Sequence, residues 1–156
     1  MKNKSLWSST QSLMVVIHYT DLEALNEYRR ALDKILDDSQ VKKLTIIVTL
    51  PKDVNKDTLP PHFLIYYNSP NDYTFMGKLK DVLLQRELEK SFDMLLWVGS
   101  LEQKVYQEIK SCSFKQKVVV NDVDDGFFDL ELKSKDENAF TLLDFVVGTL
   151  DKIELI

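Results

Sequence analysis

The side chains best suited to chemistry form an acidic turn, Asn121-Asp122-Val123-Asp124-Asp125-Gly126, which directly follows the apolar residues 118–120. Carboxylates can act as general bases, and Mg²⁺ needs only one or two of them when phosphate and water complete its coordination. α/β enzymes bind ligands at the edge of the sheet where strands end, so a carboxylate there is well placed. Three alternatives follow: a general base at Asp122 or Asp124, a weak Mg²⁺ ligand at Asp122, Asp124 or Asp125, and a plain solvated turn.

A calcium loop of the EF-hand type does not fit this turn. If Gly126 takes the sixth loop position, Val123 and Leu132 fall at the third and twelfth positions, where oxygen ligands are required. No metal site is therefore predicted from the spacing.

The two histidines and the single cysteine offer no joint site. His18 follows the apolar residues 13–17, whereas His62 precedes the apolar residues 63–67. In a parallel sheet these positions lie at opposite edges, so each histidine is interpreted as structural. Cys112 has no neighbouring histidine and lies near the end of a predicted helix, where the helix dipole raises a thiol pKa. We interpret it as inert.

The familiar phosphate, nucleotide and nucleophile signatures are absent from the sequence. There is no G-x-G-x-x-G, Walker A loop, C-x-x-C, H-E-x-x-H or G-x-S-x-G, and the four glycines are isolated. We predict no cofactor.

The elements that must position these side chains alternate between strands and helices. Short apolar runs predict buried strands at residues 13–17, 44–48, 63–67, 92–98, 118–120 and 127–132. Apolar residues at steps of three and four predict helices over residues 21–37, 80–90, 101–112 and 137–153. The pattern predicts a three-layer α/β sandwich with a mostly parallel sheet of about six strands, Rossmann-like or flavodoxin-like. The segment from Val48 to Lys80 lacks a crossover helix, which leaves room for one antiparallel connection.

Three finer predictions concern the helices. Capping boxes are predicted at Thr20 with Glu23, Ser100 with Gln103, and Ser134 with Glu137. In the second helix, Val82, Leu83 and Leu88 are expected to face inward. The last helix is apolar around much of its circumference, so we expect it to pack on the first helix or on Leu6-Trp7, with another backbone close to Gly148.

A ligand of such a sheet should lie outside the carboxyl ends of its strands, at the switch point in strand order. The residues that we predict there, as a ligand-binding set, are Thr20, Ser69, Ser100, Asn121, Asp122 and Asp124. Gly99-Ser100 could receive an anion on backbone N–H groups ahead of a helix. The alternative for Ser100 is a helix cap.

Composition narrows the classes of function. The chain of 156 residues has 20 Lys and Arg against 25 Asp and Glu, a net charge of −5, which disfavours nucleic-acid binding. Its longest apolar runs fall far short of the ~20 residues that cross a bilayer, so no membrane partner is expected. One cysteine indicates a reducing compartment, and we expect a cytoplasmic protein. Residues 1–156 are predicted to be a single domain whose first eleven residues are loosely ordered.

Three short motifs carry a family resemblance. Tyr73-Thr74-Phe75-Met76-Gly77-Lys78, then Ser91-Phe92-Asp93-Met94-Leu95-Leu96, then Phe127-Phe128-Asp129-Leu130-Glu131-Leu132 follow one another with a helix after each of the first two. The region from Asp72 to Ile156 resembles a family of small uncharacterised α/β proteins of the Bacteroidota. The resemblance implies the fold, a bacterial origin and a cytoplasmic location, and it implies no activity.

These observations favour a non-catalytic module that binds a protein partner or itself. Two tryptophans, six tyrosines and eight phenylalanines supply apolar surface, and residues 52–57 and 66–75 are the predicted contact region. The alternative is a transferase-type enzyme that binds a nucleotide or sugar nucleotide at the carboxyl ends of the strands, with Asp122 or Asp124 as base or Mg²⁺ ligand.

Overall fold

The computed structural model describes residues 4–123 and 126–155. Six strands lie in the order of the chain at β1 Ser12–His18, β2 Lys43–Thr49, β3 Ile65–Asn68, β4 Ser91–Val98, β5 Ser113–Val120 and β6 Leu130–Leu132. Four helices accompany them: α1 Leu22–Asp38, α2 Val82–Leu88, α3 Val105–Ile109 and α4 Ala139–Asp151. Two short 3-10 turns, Lys56–Thr58 and Pro70–Asp72, flank β3.

The strands form one sheet in the order β3-β2-β1-β4-β5-β6, and every pair is parallel. The predicted three-layer α/β sandwich is confirmed. The antiparallel connection between Val48 and Lys80 is wrong, because residues 50–64 return along the sheet without an α-helix and β3 still pairs parallel to β2. The order also differs from the flavodoxin order 2-1-3-4-5.

The alternation of side chains along the strands divides the core into two layers. In β1, Leu13, Val15 and Ile17 join the cluster that α1 and α4 cover, whereas Met14 and Val16 join the cluster that α2 and α3 cover. All five are almost fully buried. A strand with helices on both faces has no polar side to offer, and this explains the unbroken apolar runs of the sequence.

The helix starts differ from the predicted capping boxes. Asp21, Asp81 and Asn138 cap α1, α2 and α4, each accepting a backbone N–H of the first turn. Thr20 is one residue too early for α1, because the Asp21 carboxylate takes the capping position. The hydroxyls of Ser100 and Ser134 instead accept N–H groups two residues onward, in turns that precede the helices.

The buried face of α2 also differs from the prediction. Leu84 and Glu87 are its buried residues, whereas Val82 and Leu83 are exposed and Leu88 is partly buried. A hydrophobicity pattern assigns charged residues to the exposed face of a helix, whereas Glu87 faces the sheet. The pattern therefore predicts the wrong buried face.

The start of the chain and α4 hold each other in place. The backbone N–H of Leu6 donates to the Ile153 carbonyl at 2.8 Å, and α4 packs against α1. The expected partners of α4 are therefore confirmed, and Leu6 and Trp7 are buried. Close backbone approach at Gly148 is wrong, since a Cβ there would meet nothing within 4 Å. Phe140 is only partly buried, whereas Phe145 is exposed and Val146 is buried.

Candidate functional site

The switch point of the sheet lies between the carboxyl ends of β1 and β4, and His18 fills it. The imidazole Nδ1 shares a hydrogen bond with the Thr49 hydroxyl of β2. The His18 and Trp97 rings pack edge to face, with their centroids 5.8 Å apart. Gly99 lies against the same ring with φ +99°, and a Cβ there would come within 2.8 Å of the imidazole. Burial lowers the pKa of His18, against the opposing effects of the Ser100 backbone and the Asp122 charge. A pKa below the ordinary value of 6.5 leaves the ring neutral at pH 7.

The anion position at the start of α1 is taken by the chain's own carboxylate. Asp21 Oδ1 accepts the backbone N–H of Ala24 at 2.7 Å. In a dinucleotide fold, phosphate oxygens occupy this position, next to a glycine-rich turn. A phosphate here would meet a like charge, and the turn Tyr19-Thr20-Asp21 has no glycine to let it approach.

The acidic turn after β5 is tied to the loop after β4. Asp122 Oδ2 accepts the backbone N–H of Leu101 at 2.8 Å, and its Oδ1 accepts that of Val123 at 2.7 Å. Asn121 has φ 66°, and its side-chain oxygen accepts the N–H of Ser134 at 2.8 Å. Both carboxylate oxygens of Asp122 accept backbone hydrogen bonds, and the side-chain oxygen of Asn121 accepts another. These side chains therefore shape the loops.

Among the described residues, the members of the predicted ligand-binding set that line a depression line different ones. Asn121 and Asp122 line an open depression with Lys133, Ser134 and Lys135. Ser69 lines a different one with residues 52–57, and it is buried as the cap of the Pro70–Asp72 turn. Thr20 and Ser100 are exposed at the ends of β1 and β4. Asp124 lies outside the described residues.

The other candidate groups stay apart. His18 ends β1, whereas His62 precedes β3 and stacks on Phe63. Because the strands are parallel, the two histidines lie at opposite ends of the strands. In residues 4–123 and 126–155, no three His, Cys, Asp or Glu side chains lie close enough to hold a metal ion. Burial, with the charge of Glu108, raises the pKa of Cys112 to about 11, so its thiol is protonated at neutral pH.

Exposed apolar side chains concentrate in one stretch of the chain, from the residues before β3 to α2. Five of the nine large hydrophobic residues exposed in the described part of the chain fall between positions 63 and 83. Their exposed fractions are 87% for Phe63, 103% for Phe75, 88% for Met76, 54% for Val82 and 66% for Leu83. We call these five residues the apolar surface.

The turn that carries Phe75 and Met76 is tightly built. Tyr73 and Leu79 form an antiparallel bridge, and the N–H of Thr74 donates to the Lys78 carbonyl at 2.7 Å. Gly77 closes the turn with φ +83°. Tyr73 anchors it: the ring is buried, its hydroxyl bonds Asn68, and burial raises its pKa to about 12. A fixed frame thus holds two highly exposed side chains in water.

Phe63 and Leu83 lie on a cleft of about 550 Å³ along β3. Residues from the loop before β3 line one side, residues at the start of α2 line the other, and Ile65, Tyr66 and Tyr67 lie between them. Lys56 joins the two sides, because its Nζ lies 2.8 Å from Asp72 Oδ1 and 3.9 Å from Asp81 Oδ2.

The sequence indicates part of this region and misses the rest. The predicted contact region includes the turn up to Phe75, because aromatics there surround turn residues. Apolar periodicity instead assigns Phe63 to a strand and Leu83 to the buried face of a helix. A useful signal is the Pro60-Pro61 pair, which delays the strand and leaves Phe63 outside it.

A scan against protein-family models finds no match, and searches of curated proteins and of solved structures likewise find none. The resemblance to the Bacteroidota family therefore stays a prediction. In the described residues, no helix is long and apolar enough to span a membrane.

Proposed function

We propose that this protein is a non-catalytic interaction module that binds a protein partner through the apolar surface. The observation that carries the proposal is that Phe63, Phe75, Met76, Val82 and Leu83 are exposed within one stretch of the chain, and that Phe63 and Leu83 share the cleft along β3. Burying one such Phe, Leu or Met side chain fully is worth about 1.5–3 kcal/mol. A rigid turn and a helix hold most of these residues, so little ordering entropy opposes their binding.

The charges near the apolar surface favour a partner with carboxylates beside an apolar site. Lys78 and Lys80 are exposed, and neither forms an ion pair within the described parts of the chain. The nearby carboxylates of Asp72 and Asp81 already face Lys56. Lys78 shares a depression with the carboxylates of Glu89 and Glu108, so the positive charge that the turn presents rests on Lys80. Complementary charge around an apolar centre is the usual arrangement of a specific interface.

The test compares capture of proteins from the source cells by matched variants. The surface variant carries Phe63→Ser, Phe75→Ser and Leu83→Ser, and the control carries Phe145→Ser, another exposed phenylalanine on α4. We expect a partner that wild type and control retain and the surface variant loses. Equal capture by all three proteins would contradict the proposal. Light scattering at high concentration measures self-association separately.

The alternative function, an enzyme that binds a small ligand, stays a prediction. The strand order is one that doubly wound nucleotide-binding folds use, which favours it. His18 in the crevice and Asp21 at the start of α1 weigh against a phosphate there. A thermal-shift screen with nucleotides, sugar nucleotides and Mg²⁺ tests it, since a ligand at about 100 times its Kd stabilises by about 2.7 kcal/mol. No shift with any of them would contradict the alternative.

A further inference from the structure

The outer edge of β3 carries unpaired backbone groups. Toward β2, the carbonyls of Leu64 and Asn68 accept N–H groups of Ile46 and Leu50 at 2.9 and 2.8 Å. Alternate residues of a strand direct their N–H and C=O to the same side, so Ile65 and Tyr67 direct theirs outward. The Ile65 N–H donates a hydrogen bond to the His62 carbonyl at 3.0 Å. Within the described residues, the Ile65 carbonyl and the N–H and carbonyl of Tyr67 remain for a partner.

These groups lie in the cleft between the two walls described above. The floor is Ile65, Tyr66 and Tyr67, and the exposed side chains of Phe63 and Leu83 stand at its sides. The floor supplies hydrogen bonds at the spacing of an extended chain, and the walls supply apolar contacts. A folded helix cannot use the backbone groups of a strand edge, whereas an extended peptide uses both features at once.

A second copy of this chain fits the cleft less well than a single peptide. A symmetric dimer needs a self-complementary surface, and the exposed side chains of Phe63 and Leu83 stand beside the edge of β3 in both copies. Each copy also carries a net charge of −5. A lone extended segment has no walls of its own and can reach the floor.

We propose that an extended segment of a protein partner adds to the sheet beside β3 and places apolar side chains between Phe63 and Leu83. This inference rests on the proposed function, because it names the form of the partner that the apolar surface binds. Three hydrogen bonds to Ile65 and Tyr67 fix the backbone of the segment, and the two walls select its side chains.

The experiment pans a phage-displayed library of random linear dodecapeptides against the full chain, and measures the enriched peptides by fluorescence anisotropy. The informative pair of variants is Tyr67→Pro and Tyr67→Ala. Both lose the ring and its hydrogen bond to the Pro60 carbonyl, and only proline removes the outward N–H. Proline is tolerated at an edge strand when its nitrogen faces outward, so the bonds to β2 remain.

We expect enriched peptides with apolar residues and good strand propensity, whose affinity falls at least about tenfold more in Tyr67→Pro than in Tyr67→Ala. On wild type, the same peptides should slow hydrogen exchange of the Tyr67 amide, and this readout decides the matter if Tyr67→Pro does not fold. Phe63→Ser and Leu83→Ser should each weaken the same peptides, and Phe145→Ser should not.

Three outcomes would overturn the inference: no enriched peptide, equal binding by the two Tyr67 variants with an unprotected Tyr67 amide, and a dimer that Tyr67→Pro dissociates. The first two leave the proposed function intact if the cellular partner is still lost with the surface variant. If that variant loses no partner while the peptides bind the β3 edge, the proposed function fails and the strand addition stands.

Discussion

At the residue scale, Gly99 packs tightly on the His18 ring at the carboxyl ends of the strands. Gly99 has a positive φ, and a Cβ added to it would lie 2.8 Å from the His18 ring. The positive φ and the nearby ring each disfavour a residue with a Cβ. Together they allow only glycine unless the imidazole is displaced. The contact fixes the loop that Asp122 also holds through the Leu101 N–H.

Gly99→Ala should therefore destabilise the protein more than an alanine at a glycine that has only the positive φ. Left-handed strain costs about 1–2 kcal/mol for a residue with a Cβ, and displacement of the ring adds to it. Gly77→Ala is the matched control, because φ is +83° there and a Cβ would meet nothing within 4 Å. Urea unfolding of both variants measures the difference, and equal losses would show that the imidazole moves freely.

A second residue-scale feature is a buried carboxylate beneath α2. Glu87 is 6% exposed, and it accepts hydrogen bonds from Thr45 Oγ1 at 2.7 Å, Lys90 Nζ at 2.7 Å and the Tyr66 hydroxyl at 3.3 Å. Burial by itself would raise the pKa of Glu87, but the hydrogen bonds from Lys90 and Thr45 and the charges of Lys90 and Lys43 outweigh it and lower the pKa.

This lowered pKa predicts a loss of stability in acid. A carboxyl with a lower pKa in the folded state stabilises the protein above its unfolded pKa, and the contribution disappears as pH falls through the folded pKa. The free energy of unfolding should decrease as the pH drops below about 4.5, which is the ordinary pKa of Glu. Glu87→Gln should reduce the slope in that range, as urea titrations between about pH 3 and 6 would measure. An unchanged slope would mean that other carboxylates cause it.

At the scale of elements, α2 places a core residue directly beside an exposed one. Leu84 is fully buried against the sheet, whereas Leu83 is 66% exposed on the wall of the β3 cleft. The helix is only seven residues long, so its packing on the sheet, and not its own propensity, keeps it in place.

Leu84→Ala should cost about 2–5 kcal/mol, because it leaves a cavity in the core. Leu83→Ala should change stability by less than about 0.5 kcal/mol, since an exposed side chain contributes little to folding. Chemical denaturation of the two variants tests the phase of the helix. A large loss for Leu83→Ala would show that this side chain belongs to the core and would remove it from the apolar surface.

At the scale of the whole molecule, the N-terminal segment closes the layer of α1 and α4. Trp7 is 7% exposed and lines a small pocket with Ala31 of α1 and with Phe140 and Leu143 of α4. Backbone bonds from Leu6 to Ile153 and from Leu155 to Lys4, both 2.8 Å, join the two ends of the described chain. The first strand therefore begins from an anchored segment.

Trp7→Ala should destabilise the whole fold by about 3–5 kcal/mol, the usual cost of removing a large buried aromatic side chain. Hydrogen exchange should also become faster in α4, whose last turns pack on this segment. Trp97→Ala provides a comparison, because Trp97 is fully buried in the opposite layer, and its loss should leave the α4 amides less affected. Unchanged stability in Trp7→Ala would mean that residues 5–10 fold onto the domain without supporting it.

The secondary-structure elements and the fold class can be read from local sequence. Apolar runs of strand length, separated by helical periodicity, can be buried only in a sheet covered on both faces, so the α/β sandwich follows from local composition. Helix ends and the phase of α2 are harder to predict, because Asp21 and Glu87 act through hydrogen bonds that a hydrophobicity pattern does not register.

The order of the strands, and with it the set of apolar residues left in water, depends on the tertiary structure. Phe63 and Leu83 have the same residue types as the core, and whether they are buried depends on which strand forms the edge. Strand ends alone predict the ligand-binding set, but the strand order places Ser69 far along the sheet from Asp122, in a separate depression. Local periodicity encodes which residues can be buried, whereas long-range pairing of the strands selects which of them are.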